Sequence, residues 1–463
     1  VRPVARAAYP FLWLLSLGCS NSDSATIQLV TGGETDTFTQ PPAPVTLLVQ
    51  SVDSSNNKTT LAQQPLPATS VDLGTQSEAN QATLTVAGLD AAGGTLVYGQ
   101  SLYLDFGALV SETVPIFVQR VDEAARLPGT LDARTGPVLS TMQGEYVLVV
   151  GGNEPSLAAT SQLYDYAQLQ PLASPPVMPV VPVSAAVVGT VAMLFDGTEN
   201  AYYFDFSDNA EAQVPALAGG SLGFTFADVA GGQTIVANDG TTYVVGATRT
   251  VGTPTAAVLE INPSDTSNSN YVTGNLSWLS LSAPRFGAAA VWVDGKGIVV
   301  AGGSPTAPGV EILSPSSAAT TGSALSYPID PTVGAGAATT DDANTVVLAG
   351  GLTPTGADPG TRAINLSCPP NCTTTPWASL PIPLGSSGTF AVGDPAHVLV
   401  VGNELASGLT HVFLTGSDGS ASEIPTKVAH TNARAVITPV GSVLIVGGNA
   451  QVESVLPMMP AAQ

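Results

Sequence analysis

One feature constrains this chain more than any other: a β-rich run that ends at glycine and recurs. YVLVVGG (146–152), GIVVAGG (297–303), TVVLAGG (345–351) and VLIVGGN (443–449) are the clearest copies. TYVVGAT (242–248), HVLVVGN (397–403) and VAMLFDG (191–197) are weaker ones. The first glycines stand at 151, 197, 246, 302, 350, 402 and 447, giving intervals of 46, 49, 56, 48, 52 and 45 residues. Strands ending in glycine occur in any all-β chain, but a regular period through six successive intervals marks a repeat architecture. The β-branched residues of each run suit a strand. Glycine supplies positive φ and close approach where the chain must leave that strand sharply.

The segments between the glycines also keep an order. A third strand follows each loop: SQLYDY (161–166), AAVLEIN (256–262), GVEILS (309–314) and TRAINLS (361–367). A fourth comes next, SWLSLSAPR (277–285) or PWASLPIP (376–383), and a first strand such as RFGAAAVWV (285–293) leads into the next glycine pair. In this order the chain resembles the Kelch blade, with Trp278 and Trp377 at the positions where that family carries its tryptophan. The resemblance runs over roughly residues 120–457 and implies an all-β, galactose-oxidase-like β-propeller. It implies seven blades, or six if the unit at 183–217 is irregular. The last unit stops after its third strand, at VESVLPMMP (452–460), and EAARLPGTLDART (123–135) looks like a fourth strand. An N-terminal segment is therefore expected to complete the last blade and remove its exposed edge.

Residues 26–118 lack the repeat. They alternate as short strands, ATIQLV (25–30), VTLLVQSV (45–52), ATLTVAGL (82–89), SLYLDFG (101–107) and TVPIFVQRV (113–121), between turns such as DSSNN and DAAGG. This pattern predicts a small immunoglobulin-like β-sandwich, with an extended spacer as the alternative. The propeller is placed at 119–460.

The first residues read VRPVARAAYPFLWLLSLGC. Arg2 and Arg6 precede a twelve-residue apolar run, Ala7 to Gly18, too short to span a bilayer and of signal-peptide length. Gly18 before Cys19 resembles the lipobox of bacterial lipoproteins, although Ser16 stands where that family prefers leucine. The expectation is a signal peptide over 1–18, diacylglycerol (with palmitate) on Cys19, and a polar tether over 19–25. An ordinary cleaved signal peptide is the alternative. Ser20, rather than aspartate, after the cysteine points to the outer membrane of the cell envelope. Cys368 and Cys372, in CPPNC, are then the remaining thiols, and an oxidising compartment favours a disulfide between them. A second apolar stretch, Val177 to Phe195, is interrupted by Pro179 and Pro182 and falls in register with the repeat, so it reads as strands rather than a membrane span.

The search for chemistry gives little. With 12 basic against 35 acidic residues the net charge is −23, which argues against a nucleic-acid partner. No calcium-loop pattern, P-loop or G-x-S-x-G elbow occurs. The copper site of the galactose-oxidase-like relatives needs a Tyr-His pair that this sequence lacks, so no ligand is carried over. His397, His411 and His430 read as residues at strand edges or loops, and Asp341–Asp342 as a hairpin turn. No catalytic residue, metal ligand or cofactor is expected. Arg134, Arg285 and Arg434 are read as beginning corresponding first strands; they are expected either to bind an anion or sugar at the propeller's mouth or to pack between blades. The whole points to an envelope-anchored lipoprotein whose propeller is a non-catalytic binding or scaffold module for a protein or glycan. The alternative is an enzyme or sugar-binding protein acting at the central channel.

Overall fold

The computed structural model describes residues 25–74, 81–109, 112–142, 144–172, 176–207, 209–215, 217, 222–262, 276–304, 306, 308–315, 320–340, 343–368 and 372–457. The signal peptide, Cys19, the first residues of the tether and Asp341–Asp342 lie outside them. Among the described residues no helix is long and apolar enough to cross a membrane.

The chain first forms two sheets. One has the order Ser70–Asp72, Thr26–Val30, Thr113–Phe117; the other runs Lys58–Pro65, Thr46–Val52, Gln81–Leu89, Thr95–Asp105, Gln119–Arg120. Both contribute to one apolar cluster that includes Ile27, Leu47, Leu84, Val97 and Ile116. The period-2 pattern explains it: Gln81–Leu89 turns Ala82, Leu84 and Val86 inward. Two strands were not visible in the sequence. KTTLAQQP is a largely exposed polar strand at the sheet edge, and SVD is only three residues long.

From Ala124 onward the chain builds a β-propeller. Among the described residues seven four-stranded antiparallel sheets follow one another. Their innermost strands are Val138–Met142, Ser184–Val188, Gln233–Val236, Ala289–Val293, Gly336–Thr339, Leu384–Ala391 and Arg434–Ile437. Each innermost strand lies against the next, and the last lies against the first, so the ring closes. The last sheet, formed by 434–455, takes its fourth strand from Ala124–Arg126, with Glu453 opposite Arg126, Ser454 opposite Ala125 and Val455 opposite Ala124. The fourth strand expected from the N-terminal side is therefore in place, and the edge of Glu453–Val455 is covered.

Seven separate apolar layers hold the ring, one between each neighbouring pair of sheets. This accounts for the unbroken hydrophobic runs before the glycines. In Tyr146–Val150, Val147 and Val149 face the last sheet while Leu148 and Val150 face the second. A strand buried on both faces cannot alternate polar with apolar. Val177–Phe195, the second apolar stretch, contains the strands Ser184–Val188 and Val191–Phe195.

Candidate functional site at the two ends of the ring

Antiparallel pairing sorts the connections into two ends. The loops between second and third strands, and those leading from a fourth strand to the next first strand, lie at the end where innermost strands begin. The glycine pairs lie there too. The other two kinds of hairpin lie at the opposite end.

At the glycine-pair end the repeat has a clear physical cause. The second glycine of a pair donates its N–H to the entry of the next sheet: Gly303 to Thr332 O (2.8 Å), Gly351 to Leu384 O at the head of Leu384–Ala391 (2.9 Å), and Gly448 to Arg134 O (2.7 Å), the last joining the final sheet to the first. Space is the second reason. A Cβ on Gly303 would stand 2.7 Å from the Ala288 backbone nitrogen, and both glycines of this pair have positive φ.

The same end contains the arginines. Arg134 and Arg285 are fully buried. Arg134 donates from Nη1 to the carbonyls of Gly151 (2.9 Å), Leu157 (2.9 Å) and Thr160 (3.0 Å), and from Nη2 to Thr160 Oγ1 (2.6 Å). Arg285 donates to Gly302 O (2.8 Å), Pro308 O (2.5 Å) and Glu311 Oε2 (3.0 Å), and Glu311 is itself fully buried. Both side chains tie the connection before an innermost strand to the glycine turn of the same sheet, and neither is open to a ligand. Their counterpart in the last sheet is His430, not Arg434. His430 Nδ1 meets Gly447 O at 2.8 Å, seventeen residues on, the separation found for Arg134–Gly151 and Arg285–Gly302. Glu453 then takes the place of Glu311, 3.7 Å from His430 Nε2 and accepting from the backbone of Lys427 and Val428. The sequence alignment of the three arginines was thus four residues out of register at Arg434.

Arg434 is different. It opens the innermost strand Arg434–Ile437 and its side chain is exposed. It shares a sheet face with Val436, which packs in the layer between the last and first sheets. Desolvation by the surrounding protein lowers its pKa, and no carboxylate raises it. As the first residue of an innermost strand, it stands with its exposed side chain at the glycine-pair mouth of the channel.

The apolar side chains are also unevenly placed. Val177, Val181, Val183, Val251, Ile329, Leu405 and Leu409 are exposed on connections of the glycine-pair end. In the ring, among the described residues, only Leu172, on the outer strand of the first sheet, and Val236 and Ile437, at the far ends of innermost strands, are so exposed elsewhere. Several carboxylates of the glycine-pair end are held internally, Glu154 by the Thr135 amide and hydroxyl and Asp330 and Asp358 by Arg362, while Glu199, on the loop after Val191–Phe195, is exposed. The turns of the opposite end carry Glu145, Asp239, Asp294, Asp394 and Asp418.

The opposite mouth holds a cavity of about 430 Å³ lined by Val236, Asn238, Trp292, Asp294, Thr339 and Thr340 among others. Trp292 stacks on Tyr243 (ring centroids 5.8 Å apart, 8° between planes) and donates to Asp294 Oδ1 at 3.0 Å. The histidines do not converge. His397 Nδ1 pairs with Asp394 (2.7 Å), His411 Nδ1 with Glu423 (2.8 Å), and His430 is buried as described. Among the described residues no group of three or more His, Cys, Asp or Glu side chains is arranged to hold a metal. Cys368 and Cys372 are joined by a disulfide, their Cα atoms 5.7 Å apart.

A further cavity lies where the first two sheets meet the ring, lined by Gln100, Phe117, Gln119, Tyr166, Val440 and Ser454 among others. Sequence reasoning gave no sign of it, since its walls come from segments more than 300 residues apart. The joint is fixed by Gln100 Nε2 donating to Val440 O (2.8 Å) and by the Arg126–Glu34 ion pair (2.8 Å).

No family model matches the chain, and no curated protein is significantly similar to it. Among solved structures it is similar to Kuenenia stuttgartiensis hydrazine synthase (11% identity, TM-score 0.49, covering 70% of this chain and 96% of that one). It is similar to Staphylococcus aureus virginiamycin B lyase (9%, 0.47, 72% and 97%) and to a chain of a mitotic checkpoint complex (12%, 0.45, 73% and 91%). None of these likenesses bears on what this chain binds.

Proposed function

We propose that this protein is an envelope lipoprotein, held in the outer membrane by diacylglycerol on Cys19, and that its ring is a non-catalytic docking module for a partner protein. In this reading the seven sheets are the blades of a seven-bladed Kelch-like propeller. The sheets before it are an immunoglobulin-like sandwich that lifts the propeller from the lipid. The observation that carries the docking role is the distribution of exposed aliphatic side chains. They stand on the loops of the glycine-pair end, where Glu154, Asp330 and Asp358 are held internally, while Asp239, Asp294 and Asp418 stand in exposed turns of the other end. A face that gathers exposed aliphatic side chains suits protein contact. Rigid blades presenting variable loops suit recognition.

The test is site-specific photo-crosslinking in the native envelope, with p-benzoyl-phenylalanine at Val251 or Leu405 and, as the control, at Asp418 on the opposite end. One discrete protein adduct from the first two positions and none from Asp418 is the expected result. Adducts from Asp418 alone would place the contact elsewhere. The intact mass of the mature chain reads the acylation of Cys19 in the same preparation.

The Trp292 cavity favours a second reading, saccharide binding. A tryptophan face held by a stacked tyrosine and flanked by Asn238, Asp294 and Thr339 matches the chemistry of a sugar site. Quenching of tryptophan fluorescence by glycans, lost in Trp292→Ala, would support it.

A further inference from the structure

We infer that the channel holds a binding site for a single carboxylate group, built on Arg434 and best filled by a monocarboxylic acid with an apolar tail. The inference does not depend on whether a protein docks on the ring.

Three observations carry it. First, Arg434 is the one charged residue in the seven innermost strands, all of which are fully described. The rest are aliphatic, aromatic, glycine, or neutral polar side chains. Second, Arg434 is exposed and has no hydrogen-bond or carboxylate partner among the described residues, whereas Arg120, Arg126, Arg134, Arg285 and Arg362 each pair with a carboxylate and the buried Arg249 donates to the carbonyls of Ala227 and Thr253. An exposed guanidinium with no partner of either kind is unexpected in a chain of net charge −23. Third, the protein around it desolvates the group, so a matching anion gains more there than in open water.

The ligand class follows from charge and shape. One guanidinium balances one negative charge. A phosphate dianion would leave a net charge unpaired between neutral walls, inside a strongly acidic protein. The planar fork of arginine fits a carboxylate bidentately. Leu139 and Val436, half-buried on the innermost strand beside Arg434 and on its own strand, offer apolar surface for a tail.

The experiment is isothermal titration calorimetry of the full chain with sodium acetate, sodium hexanoate and inorganic phosphate at matched ionic strength. Hexanoate should bind one to one, at least tenfold more tightly than acetate or phosphate. Arg434→Gln should lose that binding at least tenfold, and Arg434→Lys should keep part of it. Because the side chain is exposed, Arg434→Gln should melt within a few degrees of the parent, which shows that loss of binding is not loss of fold. A peptide with a free C-terminus, compared with its amide, separates a bound chain end from a free acid as the source; preference for the free form supports the site. Absence of hexanoate binding, equal binding by Arg434→Gln, or phosphate binding as tight as hexanoate would each overturn it.

Discussion

Truncating Glu311 is the sharpest perturbation of the ring that leaves its surface untouched. The carboxylate is fully buried, accepts from the Ser282 amide (2.8 Å) and hydroxyl (2.7 Å), and is paired with Arg285 at 3.0 Å. Glu311→Ala leaves the Arg285 guanidinium buried with two carbonyl partners and no counter-charge. Breaking a buried pair from one side costs about 3–5 kcal/mol. Unfolding entropy is ~2.1 cal/mol/K per residue, so a ring of roughly 330 residues loses about 4–7 °C of melting temperature for that cost. Arg285→Met strands the opposite charge and should cost a similar amount. The double variant should cost less than the two together, by a coupling of about 2–3 kcal/mol. The assay is calorimetric and urea unfolding of all four proteins of the cycle. Additive losses, or a Glu311→Ala protein within about 0.5 kcal/mol of the parent, would refute the reasoning.

Three further outcomes follow from the same geometry. Gly448→Ala forces an L-residue into φ +67° with its Cβ against the Thr431 backbone, whereas Gly419→Ala meets nothing within 4 Å. The second should cost only the left-handed strain of about 1–2 kcal/mol and the first clearly more, read by urea midpoints. Burial pushes the Asp330 carboxyl up, but Arg362 and the Thr332 hydroxyl and amide outweigh it and hold its pKa below the ordinary value. Its contribution is therefore present above the unfolded value of about 3.9 and lost as pH falls through the folded one, and Asp330→Asn should flatten the acid limb of stability against pH. Gln119 is buried at the joint between the first sheets and the ring, and neither of its amide atoms has a protein partner among the described residues. Gln119→Leu should accordingly unfold within about 1 kcal/mol of the parent or later.

The ring was legible because its physics is repetitive. Strands buried on both faces write continuous apolar runs, and glycines that pack backbone against backbone cannot be disguised. The closing strand at 124–126 could be found for the same reason, by its likeness to SWLSLSAPR. The arginines were harder. Arg434 lies beside the position that Arg134 and Arg285 define, and a histidine fills that position in the last sheet. The constant seventeen-residue distance to the glycine would have revealed it. The polar edge strand Lys58–Pro65 carried no period to read. The apolar end of the ring, the Trp292 cavity and the solitary charge of the channel were not legible, because each depends on the placing of loops and strands from different sheets.

Everything above rests on the ring closing through residues 124–126, and hydrogen exchange read by mass spectrometry tests that directly. The amides of Ala124–Arg126 should be protected to the same degree as those of Glu453–Val455 and should open with them as one unit as denaturant is added. Rapid exchange at 124–126 while 453–455 stays protected would show a linker where the account requires a strand, and would contradict it.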